Sequence, residues 1–463
     1  KAKYDGMEHP VRQVTDLKDI IVSSCSMFKD DTAFLEKDKP GGTFQPVSYA
    51  KVKDDMDALG TKLIDMGLKG CKIAVVGETS YHWFLTYFAA VCGVGVIVPL
   101  DKNLPQDELK SLVERSHAKA IVFSNRMEKT VKPLFDKPGE IEYFISMSES
   151  ENEKVLSLVK LIEEGNKLLR EGARNFVDAE INPQDMASLL FTSGTTGKSK
   201  GVMLSHKNIA ANVVNVSKRV MLDKGCVVLS IIPVHHTYEN TIDWVTIYQG
   251  RTIAICEGIK YILRNMNEVK ANCMVGVPLV FEKIFKGLMK QAEGRGEGEK
   301  IRNAIALSRR LKLYNNRSLI RKLFKPIHQA FGGGMHLFIA GGAAMDPEIT
   351  EAFEAMGIPM IQGYGMTEYA PIIAVNQDNY SIAKSVGRPM PETKVRIDNA
   401  DENGVGEIVV KGPSVMLGYY EDQEATDEAI EDGWLHTGDL GYLDSDDFLY
   451  LTGRKKTVIV TKG

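Results

Sequence analysis

Thr192-Ser193-Gly194-Thr195-Thr196-Gly197-Lys198-Ser199-Lys200-Gly201 follows the apolar run Leu189-Leu190-Phe191. A strand end therefore runs into a loop of glycines, hydroxyls and two lysines. Glycines let backbone approach an anion closely, hydroxyls and amides donate hydrogen bonds, and lysine adds charge. Such a loop suits a polyphosphate. It is not a P-loop, because that pattern requires a glycine where this chain has Thr192. Taken by itself the stretch is equally readable as a solvated turn, so its context decides.

Working outward, short β-like runs alternate with helical patterns from about residue 50. Lys72–Gly77, Val94–Pro99 and Ala118–Ser124 read as strands, with helices over Tyr81–Val91 and Pro105–Ser116. The rhythm resumes with strands at Val227–Pro233 and Arg251–Cys256 around a helix at Glu239–Tyr248, then strands at Leu337–Ala340 and Ile358–Gln362. Alternation of this kind predicts an α/β fold of doubly wound, mostly parallel sheets flanked by helices. Ser148–Asn175 reads as polar and mostly helical. Gln291–Lys300 reads as a charged, glycine-rich loop, followed by basic helical patterns through Lys325 that suit a solvated surface insertion. After about Ser385 short strands separated by turn residues predict a small β-rich, barrel-like subdomain.

The chain has 463 residues, 44% hydrophobic and 25% charged, with a net charge of −4. These values fit a soluble globular protein with more than one structural unit. No long basic block points to nucleic acid. The six cysteines are scattered without a CxxC pair, and read as free thiols of a reducing compartment. The first residues lack the apolar core of a signal peptide, and the longest apolar stretch, near Tyr87–Leu100, is too short and glycine-broken to span a bilayer. A cytoplasmic location follows. Peripheral membrane contact and a homodimer remain compatible with the sequence.

Further motifs end predicted strands, where α/β folds place ligands. Gly363-Tyr364-Gly365-Met366-Thr367-Glu368 offers a slot for a flat base beside a carboxylate able to hold Mg²⁺; it reads also as a strand-to-helix turn. Gly341-Gly342-Ala343-Ala344 permits close approach of a ligand or, equally, tight helix–sheet packing. Trp434-Leu435-His436-Thr437-Gly438-Asp439 sets a carboxylate after a glycine, suited to the two hydroxyls of a ribose or to an ordinary turn. Pro233-Val234-His235-His236-Thr237-Tyr238 carries two histidines. Gly453-Arg454-Lys455-Lys456 is a basic turn.

In order and spacing these motifs resemble the adenylate-forming superfamily of AMP-binding enzymes over nearly the whole chain, most closely bacterial long-chain fatty-acid–CoA ligases. The resemblance implies ATP, Mg²⁺ and CoA as cofactors and substrates, with a fatty acid as the activated acid. It implies phosphate binding by Thr192, Ser193, Gly194, Thr195, Thr196, Gly197, Lys198 and Lys200, and an adenine pocket from Gly342, Ala343, Gly363, Tyr364 and Gly365. Thr367 would contact phosphate or carboxylate, Glu368 and Thr192 would lie at the metal, Asp439 would grip the ribose, and Arg454 would contact ribose or phosphate. Lys198, Thr367, Glu368 and His236 are the implied catalytic group, His236 standing beside the acyl carboxylate. Lys456 would be the hinge pivot, while His436 reads as structural.

The implied organisation is a large adenylation domain over 1–452, with α/β subdomains about 1–384 and a β-rich subdomain about 385–452, then a hinge over 453–463. The family's C-terminal lid, roughly a hundred residues, would follow that hinge, and the sequence stops inside the hinge motif. The expectation is a chain without its lid that binds ATP and acid, adenylates poorly and forms little thioester. Two other readings are an acyl-AMP ligase or acyl-carrier-protein synthetase, and a non-catalytic nucleotide or acyl sensor. Acyl chain length depends on pocket depth, set by distant helices including Glu239–Tyr248.

Overall fold

The computed structural model describes residues 8–192 and 199–455. Two large mixed sheets and one small antiparallel sheet make the frame. In the eight-stranded sheet, Lys72–Val76 pairs in parallel with Val96–Leu100 and Ala120–Phe123, and the parallel run continues through Tyr143–Ser146 to Val155–Ser157. On the other side Met186–Thr192 joins Val96–Leu100 in parallel, and the antiparallel strands Lys200–Ser205 and Gly418–Tyr419 close that edge. The nine-stranded sheet has a parallel centre of Thr252–Ile255, Val227–Ser230, Cys273–Gly276, Leu337–Ala340 and Met360–Gly365. Its edges turn antiparallel at Phe44–Ser48 and at Ile372–Val375 with Arg388–Pro389.

The central strands are almost wholly buried, as strands covered on both faces must be. The largest core cluster joins the two large sheets. At its middle runs the helix Thr237–Tyr248, buried along its length. Trp244 of this helix meets Tyr87 and Phe88 edge-on. A helix buried on every side has no room for a solvated polar face, which makes Glu239 and Asp243 on it unusual.

The third sheet is built from Lys394–Asp398, Gly406–Lys411, Trp434–Leu443, Ile430–Glu431 and Leu449–Arg454. Two short strands beyond Ser385 leave it: Arg388–Pro389 joins the nine-stranded sheet and Gly418–Tyr419 the eight-stranded one.

Two expectations change. Gln291–Lys300 is not a loop: Pro278–Gly294 and Gly298–Leu311 are helices, separated only by 295–297. Ala292 is buried and Glu293 pairs with Arg302 at 2.7 Å, so packing and an ion pair extend both helices through a glycine-rich stretch. Trp434–Leu443 is one continuous strand, whereas Trp434-Leu435-His436-Thr437-Gly438-Asp439 could have been a turn. The motif stays in the strand through a bulge: Gly438 sits at φ +70° and the register with Gly406–Lys411 shifts beside it.

Candidate active site

The parallel strands of the nine-stranded sheet end together at Ser230, Gly276, Ala340 and Gly365. Their following residues surround a cleft of about 420 Å³. Gly342, Gly363, Tyr364, Gly365, Thr367 and His236 line it, beside Thr237 and apolar walls from Ile231, Val277 and Ile372. Ala343 is exposed and does not line the cleft. Gly341 serves packing: a Cβ there would lie 2.5 Å from the Tyr238 ring.

Asp439 anchors one corner. Its Oδ2 accepts the Tyr364 hydroxyl at 2.6 Å, and its Oδ1 accepts Arg454 Nε at 2.9 Å. Both Asp439 and Tyr364 are buried, whereas the Arg454 side chain is 71% exposed. The bulge at Gly438 turns Asp439 into this position, and Thr437 Oγ1 accepts its N–H at 3.1 Å. Burial, then the charge of Asp439, drives the Tyr364 pKa well above its ordinary value, so the phenol remains a donor. His436 faces Glu407 at 3.4 Å and does not line the cleft, in keeping with a structural role.

Glu368 forms the second corner. Its Oε1 accepts the Tyr419 hydroxyl at 2.8 Å, and Lys200 Nζ lies 5.0 Å from the centre of the Tyr419 ring. Thr192 and Lys200 are cross-strand partners where the two strands of the motif pair antiparallel. Thr192 Oγ1 donates to the Lys200 carbonyl at 3.5 Å. The phosphate motif thus lies between two antiparallel strands, unlike a P-loop, which leads into a helix. Ser193, Gly194, Thr195, Thr196, Gly197 and Lys198 fall outside the described residues, as does Lys456. Tyr419 escaped the sequence reading because it belongs to no motif, and only the pairing of Gly418–Tyr419 with Met203 and Val202 brings it to Glu368.

The third element is the start of the buried helix. His236 is its N-cap residue, and Thr237 Oγ1 stands 3.2 Å from Thr367 Oγ1. Partial desolvation lowers the His236 pKa against the pull of Asp101, although the side chain remains exposed. The His235 ring lies 4.1 Å from it, its pKa lowered to about 4 by burial and then by His236, and its Nε2 is 3.6 Å from Asp101. Thr237 was readable only as the neighbour of His236.

Below the cleft a narrow apolar cavity of about 20 Å³ shares Tyr238, Gly363 and Ile372 with it and continues to Leu222, Val228 and Cys273. Ile242 and Val245 of the buried helix line this cavity. One face over, Glu239 Oε2 and both oxygens of Asp243 lack a hydrogen-bond partner. Burial raises Glu239 to about 8; burial, then Glu239, raises Asp243 well above the carboxylate range.

The donor set can be tested against a magnesium ion. Among the described residues no group of three or more His, Cys, Asp or Glu could hold a metal. Glu368 contributes a single carboxylate, held by Tyr419, whose ring faces Lys200, the cross-strand partner of Thr192. A sparse set of this kind suits an ion that keeps several waters and takes other oxygens from phosphates. The residues fit magnesium delivered with a nucleotide, not a caged metal.

A family model described as AMP-binding enzyme matches residues 22–420. The chain is 27% identical to a long-chain-fatty-acid–CoA ligase, FadD15, of Mycobacterium bovis over 91% of this chain and 72% of the relative. It is 28% identical to the peroxisomal long chain acyl-CoA synthetase 6 of Arabidopsis thaliana, over 98% of this chain and 66% of that one. Among solved structures, the long-chain-fatty-acid-CoA ligase FadD1 from Archaeoglobus fulgidus superposes with a TM-score of 0.75 at 19% identity, covering 97% of this chain and 85% of that one. This last likeness concerns the fold.

Proposed function

This chain belongs to the AMP-binding enzyme family, and from that premise we propose that it serves ATP-dependent activation of a fatty acid to acyl-AMP, followed by thioester formation with CoA. The observation that supports the reading best is the meeting of distant motif residues around one cleft: Tyr364 with Asp439 and Arg454, and Thr367 and Glu368 with Thr237, Tyr419 and Lys200.

A carboxylate is a poor electrophile, and ATP activates it. Carboxylate oxygen attacks the α-phosphorus, the bond to the bridging oxygen breaks, and pyrophosphate leaves. The thiol of CoA then attacks the acyl carbon and AMP departs. The first step brings two anions together, so the site must position them and offset their repulsion. Magnesium, when bound, neutralises phosphate charge and would be held by Glu368 with Thr192 nearby. Lys200, with Lys198, steadies the outer phosphates. Asp439 accepts the ribose hydroxyls, its orientation held by Tyr364 and Arg454. Thr367 and Thr237 donate to the reacting carboxylate or phosphate. His236, at the helix start, lines the cleft where the reacting carboxylate would lie. Tyr364 backs the adenine slot beside Gly342, Gly363 and Gly365.

The acyl tail would follow the apolar cavity past Tyr238 toward Leu222. At about 20 Å³ that cavity must open to admit a chain, so binding displaces side chains of Ile242 and Val245. Residues 1–452 form the adenylation domain in this reading, and 453–463 a hinge. All six cysteines are free, which supports a reducing, cytoplasmic setting. A homodimer is also part of the reading, and analytical ultracentrifugation checks it.

Calorimetric titration with stable acyl-AMP analogues of increasing tail length tests the proposal, with Glu368→Ala and Asp439→Ala as controls. Affinity that rises with tail length and falls for Asp439→Ala supports it. Binding of aryl or short-chain adenylates in preference to long-chain ones overturns the fatty-acid assignment.

A further inference from the structure

The narrow apolar cavity follows one stripe of the buried helix. Tyr238, Ile242 and Val245 line it, and their spacing stacks them along one helical face. The next position in that series is Gln249, the residue that caps the helix at its C-terminal end. Gln249 is only 5% exposed. A buried polar side chain thus ends an otherwise apolar stripe, at the opposite end of the helix from His236.

The Gln249 amide holds a segment that crosses the far end of the cavity. Its Oε1 accepts the Leu222 N–H at 2.8 Å, and its Nε2 donates to the Val220 carbonyl at 2.9 Å and to Ser217 Oγ at 3.1 Å. Val220 and Leu222 both line the cavity. Residues 220–222 belong to no helix or strand, so their backbone groups need partners from elsewhere. Asp378 Oδ2 accepts the Met221 N–H at 2.8 Å, and Arg251 Nε donates to the Leu222 carbonyl at 3.1 Å. An irregular stretch of chain is therefore fixed by side chains of three other residues.

We propose that Val220–Leu222 is the floor that limits the length of the acyl tail, and that Gln249, by holding this floor, is a specificity-determining residue. The inference rests on the fatty-acid reading above. Side chains such as Ile242 and Val245 turn aside for a tail at little cost. A backbone held by Gln249, Asp378 and Arg251 cannot move without leaving buried polar groups unpaired. The helix also supplies a ruler. From His236 to Gln249 it rises about 20 Å. An extended alkyl chain, with C–C bonds of about 1.5 Å, gains a little over 1 Å per carbon. The ceiling therefore falls at about 15 carbons.

Calorimetry with acyl-AMP analogues of graded tail length tests it on the chain as it is. Affinity should rise about fourfold per methylene and stop rising at about 15 carbons. Gln249→Ala should extend the rise by about two carbons, so that the longest tails bind about tenfold tighter or more. The shortest tail should bind this variant within about twofold of the original, since it never reaches the floor. Leu222→Ala deepens the cavity without touching the hydrogen bonds of the backbone, and should move the ceiling in the same direction. Circular dichroism checks folding. A ceiling unmoved in folded Gln249→Ala, or in Leu222→Ala if Gln249→Ala does not fold, overturns the inference and leaves the fatty-acid reading in place. A loss of affinity equal at every tail length does the same, because it marks Gln249 as a general packing residue. Preference of the unsubstituted chain for aryl or short-chain adenylates overturns both.

Discussion

Glu368 follows the cleft residue Thr367 and Asp439 bonds the cleft residue Tyr364, and each accepts a tyrosine hydroxyl, from Tyr419 and Tyr364. Glu239 and Asp243 lie one helical turn apart on the buried helix, and three of their four oxygens find no hydrogen-bond partner. All four are acids of similar chemistry. The first pair is oriented by donors, as a binding site requires; the buried pair is held neutral by the cost of charge in an apolar interior. Environment, not residue type, separates a ligand-ready carboxylate from a buried acid.

The largest effect should come from the buried pair. The folded pKa of Glu239, about 8, exceeds its ordinary 4.5, and that of Asp243 is also raised. The folded state therefore holds protons that the unfolded state releases. This contribution to stability is fully present below about pH 4.5 and is lost as pH rises through about 8. Urea unfolding between pH 5 and 9 should show a loss on the order of 4 kcal/mol, and Glu239→Gln should remove much of the slope. Parallel curves for the two proteins would break the comparison.

Next, Asp439→Ala should weaken binding of an acyl-AMP analogue by about thirtyfold, the scale of charge-assisted hydrogen bonds, as read by calorimetry. An unchanged affinity would take Asp439 out of the site. A smaller effect is expected from the tyrosines. Tyr364→Phe should cost about 1 kcal/mol of analogue binding, since it frees Asp439 to reorient. Tyr419→Phe should shift the magnesium dependence of ATP binding severalfold while leaving binding of magnesium-free adenylate analogues nearly unchanged. Equal losses for both ligands would make Tyr419 a general packing residue.

The alternating runs and strand-end motifs were legible because parallel strands covered on both faces need short apolar segments, and ligand-facing turns need small residues. The apolar run before the phosphate motif marked the strand Met186–Thr192, whereas the strand Lys200–Ser205 after it was not read from the sequence. Tyr419 was not legible, because its contact depends on a pairing across more than two hundred residues of chain. The burial of Glu239 and Asp243 was equally hidden: i, i+4 acids in a helix read as a solvated face, and only tertiary packing covers it. The helices on either side of Arg295–Glu297 were masked by glycines whose helix-breaking tendency is outweighed by the buried Ala292 and the Glu293–Arg302 pair.

The strand Gly418–Tyr419 has a consequence for synthesis. A ribosome delivers the eight-stranded sheet early, but that sheet lacks its last strand, and Glu368 its tyrosine, until residue 419 has cleared the exit tunnel. Nucleotide in the cell should therefore give little protection to shorter nascent chains. Until then the chain must rely on its core rather than on a ligand.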